Sequence, residues 1–300
     1  MTGKKVVQVP GIYTRREVEY SEIDAVNQST LKAMAKSPLH YKSGLTSQKK
    51  QTNPMRLGSL THTALLEPDW LELEYALWAP RDPKTGELKK DDFKGNDYLA
   101  FLTAATLEGR TVIKQRDLDG ALRIAEAIHA NQLAMRYLRE MRAEPILVWR
   151  DEATGIVCKA RLDGVSRSVP DVLVELKTAV DVAPWAFESA FAKRMYHMQT
   201  AFYSDGWKAC TGRDLHGGKC IAVENTEPHD VIVYDLAEVT DVGRETYREL
   251  LGKVADCRKS GLWLGQSPTQ ELTLRLPKWL DPEDDNPLED LGLEYESERV

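Results

Sequence analysis

Residues 171–180 read DVLVELKTAV, and no other segment constrains the fold as much. Val172, Leu173, Val174 and Leu176 crowd together as in a buried strand, yet Glu175 and Lys177 stand in its middle. Side chains alternate across a strand, so residues two apart share a face. A carboxylate and an ammonium thus emerge side by side from an apolar segment. Such a pair needs either solvent on that face or a chemical role.

The preceding segments supply a matching group. In IVCKARLD (156–163) the even positions Ile156, Cys158, Ala160 and Leu162 are apolar, while the odd ones run Val157, Lys159, Arg161, Asp163. Asp163 therefore ends a strand on its polar face. With PILVWRD (145–151) and a turn near Thr154-Gly155, residues 145–178 read as a three-strand meander. Pairing across the 164–170 loop would bring Asp163 beside Glu175, with Lys177 next to them. Two carboxylates around an oxygen-lined gap suit Mg²⁺, which keeps several waters for a substrate phosphate to replace. The ion lowers the pKa of a bound water and neutralises charge on the phosphate. A neighbouring lysine can orient the water or stabilise that charge. Taken alone, an Asp followed some way on by ExK also fits an edge-strand salt bridge with a solvated face.

Elsewhere the pattern alternates between helix and strand. A short helix is expected over residues 30–36, capped by Ser29 and stopped at Ser37-Pro38. Residues 43–54 read as a polar loop, 56–68 as a buried helix ended by Pro68, and 80–97 as a charged loop. A long helix is expected over 117–142, with Leu118, Leu122, Ala125 and Ile128 at helical spacing. Helices over 183–194 and 196–211, strands over 219–225 and 230–236, and an amphipathic helix over 238–259 complete the pass. Helices on a mixed sheet make an α/β or mixed α+β domain, expected as a single body over 1–280.

Charge and cysteine usage bound the function. The net charge of −7 conceals an asymmetry, because residues 281–300 hold nine acidic side chains against one arginine. The first 280 residues are therefore close to neutral, which leaves room for a local basic groove. The acidic tail reads as disordered or loosely docked. Cys158, Cys210, Cys220 and Cys257 lie far apart, which argues against a site built on close cysteine pairs and fits free thiols in a reducing cytoplasm. There is no apolar run of membrane-spanning length.

Two further elements complete a pattern. His62 lies in an otherwise apolar helical segment, four residues after Gly58, and Gln199 and Tyr203 fall at i and i+4 on one helix face. Each alone is commonly plain packing. In the order GxxxH, D, ExK, QxxxY, the chain resembles the RecB-like branch of the PD-(D/E)XK nuclease superfamily, and within it the RecE-type exonucleases (exonuclease VIII). The likeness runs from PGIY (10–13) to LPKW (276–279) and includes KSPLHY, GSLTHTALLEP, CKARLDG, VELKTAVD and HMQTAFYSDG.

The resemblance implies a PD-(D/E)XK core. It implies that Asp163 and Glu175 hold Mg²⁺ (or Mn²⁺ in its place) with the carbonyl of Leu176 and with His62. It makes Lys177 the catalytic lysine and sets Gln199 and Tyr203 at a DNA-facing edge. Glu175 departs from the RecE-type aspartate, a change the superfamily tolerates. The activity implied is exonuclease digestion of duplex DNA ends from 5′ to 3′, leaving 3′ overhangs for a RecT-like annealing partner in phage or prophage recombination. A closed ring of subunits, a tetramer, is implied as well; the RecE-type N-terminal extension is a point of departure, so a minimal nuclease is expected. Arg56, the QKK at 48–50, Lys193 and Arg194 are candidate phosphate contacts, though solvated surface charge is the commoner use of each. Glu67 can equally end its helix, and Glu224 has no derivable role. Other readings are a Cas4-like nuclease, disfavoured by the missing cysteine cluster, a restriction-type nuclease, or a DNA-binding scaffold with a relic site.

Overall fold

The computed structural model describes residues 9–47, 52–82, 84–87, 93–167 and 171–274. The QKK at 48–50 and the acidic tail at 281–300 lie outside the described residues. The first half of the chain carries β1 (Gly11–Tyr13), α1 (Gln28–Lys36), α2 (Pro38–Thr46), α3 (Asn53–Leu66), α4 (Leu71–Glu74) and β2 (Tyr75–Trp78). It continues through α5 (Asn96–Leu107), β3 (Thr111–Lys114), α6 (Gln115–Ala130) and α7 (Gln132–Leu138). Four strands follow in succession: β4 (Met141–Ala143), β5 (Ile146–Arg150), β6 (Val157–Arg161) and β7 (Gly164–Ser166). Then come β8 (Val172–Ala179), α8 (Pro184–Lys193), α9 (Tyr196–Thr211), β9 (Gly218–Glu224), β10 (Val231–Asp235) and α10 (Ala237–Ser260). This is the expected mixed α+β architecture.

The DVLVELKTAV segment forms β8, in the middle of a five-stranded sheet ordered β10-β9-β8-β7-β4. It runs parallel to β9 and antiparallel to β7. Val172, Val174 and Leu176 pack on Ile124 and Ile128 of α6. Leu173, on the other face, packs with Met198 and Phe202 of α9. Helices cover both faces, which accounts for the near-continuous apolar run. Glu175 and Lys177 share the face of Leu173, the one turned to α9.

The expected three-strand meander is not what forms. β5 and β6 pair with each other and with β1 in a separate three-stranded sheet, and it is β7 that pairs with β8. Yet one hairpin register persists across the break: Ile146 lies opposite Arg161 and Ala143 opposite Gly164. The turn is set by Asp151, whose Oδ1 accepts from the Thr154 N–H at 2.8 Å, with Gly155 at φ 69°. The ribbon bends where Pro145 has no N–H to give and Glu144 is left-handed, at φ 47°. Asp163, opposite Glu144, thus sits on the corner between two sheets and not at the end of a flat ladder.

Three helix expectations are corrected by capping. Asn27, not Ser29, caps α1, its Oδ1 accepting from the Thr30 N–H at 2.8 Å. Ser37-Pro38 is a start as well as a stop, since Ser37 Oγ accepts from the His40 N–H and Pro38 opens α2. Residues 43–46 are accordingly helical, not loop. The long helix over 117–142 breaks at Asn131, whose Oδ1 caps α7 at 3.0 Å and whose Nδ2 donates to the Val231 carbonyl at 3.1 Å. Residues 141–143 are extended because they complete the hairpin with β7.

Among the described residues no helix is long and apolar enough to cross a membrane, and all four cysteines are free thiols. The chain divides after Trp263, and residues 264–274 contain no helix or strand.

Helices α9 and α10 cross in close contact at Gly243, where a Cβ would come 2.0 Å from the His197 carbonyl oxygen. Backbone cannot yield as a flexible side chain does. Gly243→Ala should therefore cost at least about 2 kcal/mol and lower Tm by roughly 4–8 °C. Thermal unfolding checks this, and a Tm equal to wild type would mean that the helices separate without cost.

Candidate active site

Asp163 and the β8 side chains meet α3 and α9 in a single cleft of about 1220 Å³. Asp163 is fixed from β8 itself: the Leu176 N–H donates to its Oδ2 at 2.7 Å, and Lys177 Nζ lies 3.6 Å from the same oxygen. Lys177 Nζ donates to Glu175 Oε2 at 2.7 Å. Gln199 Nε2, reaching across from α9, donates to that oxygen at 2.7 Å as well. Glu175 is 2 % exposed, and its other oxygen, Oε1, is buried with no hydrogen-bond partner.

His62 reaches the same point from α3. Its Nε2 donates to the Leu176 carbonyl at 3.1 Å, which turns Nδ1 toward Asp163 Oδ1 at 3.4 Å and Glu144 Oε1 at 4.0 Å. One ring nitrogen is thus held by a backbone carbonyl while the other faces carboxylates, the usual arrangement of a ligating imidazole.

Electrostatics follow from burial and proximity. Burial drives the Glu175 carboxyl up to about 7; Lys177 opposes the rise and Asp163 adds to it. Burial works against an ionised Asp163 too, but Lys177, His62 and the Leu176 N–H together hold its carboxyl below the ordinary value. Burial likewise disfavours an ammonium at Lys177, yet Glu175 and Asp163 raise it well above the usual lysine range. For His62, burial is outweighed by Asp163 and Glu144, so the imidazole holds its proton above the ordinary histidine value.

Two acidic residues behave differently from expectation. Glu144, outside the site expected from the sequence, joins His62 and Asp163 in a group whose candidate ligand atoms all lie within 4.8 Å of one another. Its second oxygen accepts from Arg161 Nε at 2.9 Å, and its N–H donates to the Asp163 carbonyl at 3.1 Å. The signal was present in the hairpin register, which sets residue 144 opposite 163. Glu175 stands outside that trio, held back by Lys177 and Gln199. The Leu176 carbonyl, expected as a ligand, is engaged by His62 and keeps one further lone pair.

Do these residues suit a divalent cation? Carboxylate oxygens with one imidazole nitrogen are a donor set for Mg²⁺ or Mn²⁺. The orphaned Glu175 Oε1 and the raised Glu175 pKa both report a buried carboxylate short of positive charge. On both counts the residues fit.

The remaining candidates divide by geometry. Lys193 and Arg194 line the cleft, together with Lys32 of α1. Arg56 does not: the N-cap Thr52 and, on α3, Met55, Ser59 and His62 are among the residues that line it, whereas Arg56 is not and donates to Asn53 at 2.8 Å. Gln199 is buried against Glu175 and is not on an open edge. Tyr203, one turn further along α9, is buried and lines the cleft, its hydroxyl raised well above the ordinary value by burial and by the charge of Glu175. Glu67 ends α3 and pairs with Arg15, which also pairs with Glu74 and lies 4.0 Å over the Trp70 ring. Glu224 sits opposite Ala179 at the far end of β9, and nothing in the structure gives it a role.

A family model described as a PDDEXK-like domain of unknown function (DUF3799) matches residues 27–272. Among solved structures, a candidate exonuclease from Eubacterium rectale is similar with a TM-score of 0.54 at 15% identity, over 85% of this chain and 90% of that one. The protein SSO0001 matches with a TM-score of 0.27 at 13% identity, over 78% and 88% of the two chains. No curated protein matches the sequence.

Proposed function

The chain belongs to this PDDEXK-like family (DUF3799), and from that premise we propose that it is a Mg²⁺-dependent nuclease that digests duplex DNA ends from 5′ to 3′ and leaves 3′ overhangs. One observation carries the nuclease reading. Asp163, His62 and Lys177 come from three different parts of the chain and line one cleft, with Glu175 buried directly behind Lys177. The polarity and the DNA-end preference rest on the resemblance to RecE-type exonucleases.

Asp163, His62, Glu144 and Glu175 would hold the cation, which when bound supplies an acidified water and a counter-charge to the scissile phosphate. The chain's own part is to orient and to exclude. Leu176 fixes Asp163 through its N–H and His62 through its carbonyl, so one residue of β8 aligns both groups. Gln199 tethers Glu175 to α9 through its 2.7 Å hydrogen bond to Oε2. Lys177, ammonium throughout the neutral range, donates and does not accept, so its role is to hold the attacking water or the developing phosphate charge. Lys32, Lys193 and Arg194 lie where the flanking phosphates of a strand would pass.

The reading extends to a closed ring, a tetramer, threaded on duplex DNA, and to a RecT-like annealing protein that takes up the overhang. The test is digestion of linear duplexes labelled at the 5′ or the 3′ end, with Mg²⁺, with Mn²⁺ and in EDTA. Metal-dependent release of the 5′ label as mononucleotides, with the 3′-labelled strand left long, is the expected result. Loss of the 3′ label first would overturn the polarity, and equal cleavage in EDTA would overturn the metal site.

A further inference from the structure

The catalytic strand has a neighbour that neither the motif pattern nor the metal chemistry uses. Tyr196 opens α9 immediately after Met195, a non-glycine residue in the left-handed region at φ 53°. That turn brings the Tyr196 ring into the cleft, with Lys177 Nζ 5.1 Å from its centroid and Lys32 Nζ also at 5.1 Å. The ring's own orientation is fixed twice over. Phe191 meets it edge-on with centroids 5.5 Å apart, and Arg194 Nη1 reaches its hydroxyl at 3.4 Å.

A Lys177 ammonium carries three N–H groups. Glu175 takes one at 2.7 Å, and Asp163, at 3.6 Å, is beyond good hydrogen-bond length. Both carboxylates are also the groups that a divalent cation claims, and charge drawn to the cation is charge withdrawn from Lys177. An aromatic face attracts an ammonium through its quadrupole and competes for no cation site on the carboxylates. It therefore still holds the ammonium when the carboxylates are occupied.

We propose that Tyr196 is a positioning residue: its ring face holds the Lys177 ammonium in register with the scissile phosphate and ties it to Lys32 on the basic side of the cleft. This rests on the nuclease reading above. Its effect is exerted through Lys177, so turnover is what it governs, and substrate affinity is secondary.

The experiment places leucine, phenylalanine and singly to multiply fluorinated phenylalanines at position 196, in the full chain, and follows cleavage of end-labelled linear duplex DNA with Mg²⁺. Tyr196→Leu keeps bulk and loses the ring, so kcat should fall about five- to thirtyfold, the range a desolvated cation–π contact supports, with KM nearly unchanged. Tyr196→Phe keeps the face and should restore most of that loss. Successive fluorines drain the face without changing its shape, and kcat should decline stepwise with each. A readout independent of metal accompanies these: the ring-current shift of the Lys177 ε-methylene, seen by NMR in EDTA, should vanish in Tyr196→Leu. If wild type cleaves and kcat is indifferent to fluorination, or the leucine variant loses only affinity, the positioning role is overturned while the nuclease reading stands. If wild type does not cleave, both fall together. If Tyr196→Leu does not fold, the fluorinated series alone decides.

Discussion

Glu175→Gln and Asp163→Asn should each lower DNA cleavage by at least about a thousandfold, since loss of a single preorganised charge already approaches that size. The fold should survive, and for Glu175 the physics goes further. Its carboxyl lies 2 % exposed with Oε1 unpartnered, and burial raises it from 4.5 to about 7. The folded protein therefore binds a proton at Glu175 that the unfolded chain has released between those values. Stability contributed by the neutral form is intact below pH 4.5 and is lost as pH rises toward about 7. Gln imitates the neutral form at every pH. In EDTA, then, Glu175→Gln should equal wild type in Tm near pH 5 and exceed it at pH 8, although it is catalytically dead. Mg²⁺ should close the gap by stabilising wild type alone. A variant that cuts normally sinks the ligand assignment; one less stable than wild type at pH 8 in EDTA would show that Glu175 is not short of positive charge.

Much of this site was legible because strands announce their faces. Alternation in DVLVELKT put Glu175 and Lys177 together, and alternation in IVCKARLD put Asp163 on the polar side. What alternation does not encode is which strand sits beside which. The sequence offers a loop at 164–170 and suggests a meander, but the bend at Glu144-Pro145 moves β5 and β6 into another sheet. Asp163 meets Leu176 anyway, through its backbone N–H, from a corner and not from a ladder. Glu144 is masked in the sequence by helical spacing that runs on to Arg142. The break at Asn131 is a capping event, decided by one amide side chain, and helical periodicity does not sense it.

Tertiary contacts hid the rest. Arg56 is a cation near the GxxxH element, but three residues from Asn53 it finds a local partner and leaves the cleft to Thr52, Met55 and Ser59. Gln199 at helical spacing from Tyr203 suggested an edge. Its burial on Glu175 shows that the same spacing serves to brace a buried carboxylate. The parallel pair of β2 with β3 flanks the charged stretch at 80–97, and its partners are separated by the whole of α5 and so leave no hairpin signal.

Lys177→Ala should reduce kcat by about a hundred- to a thousandfold, the usual cost of removing one positioned donor, while DNA affinity changes far less. Three facts set this apart from a phosphate clamp. Lys177 stands half-buried beside two carboxylates and is not splayed on the basic wall formed by Lys32, Lys193 and Arg194. Its pKa is raised well above the ordinary value, so it is a permanent donor and no general base. Its Nζ lies within reach of both Asp163 and Glu175, the residues that would hold the water-activating ion. Removing the ammonium leaves Glu175 without its ionic partner, but a carboxyl already at about 7 can take a proton instead, so the fold should hold in EDTA. Single-turnover cleavage separates the cases. A lower limiting rate at saturating DNA, unchanged by lowering the salt, is the expected outcome. A limiting rate equal to wild type, with weakened binding that low salt repairs, would make Lys177 one more phosphate contact.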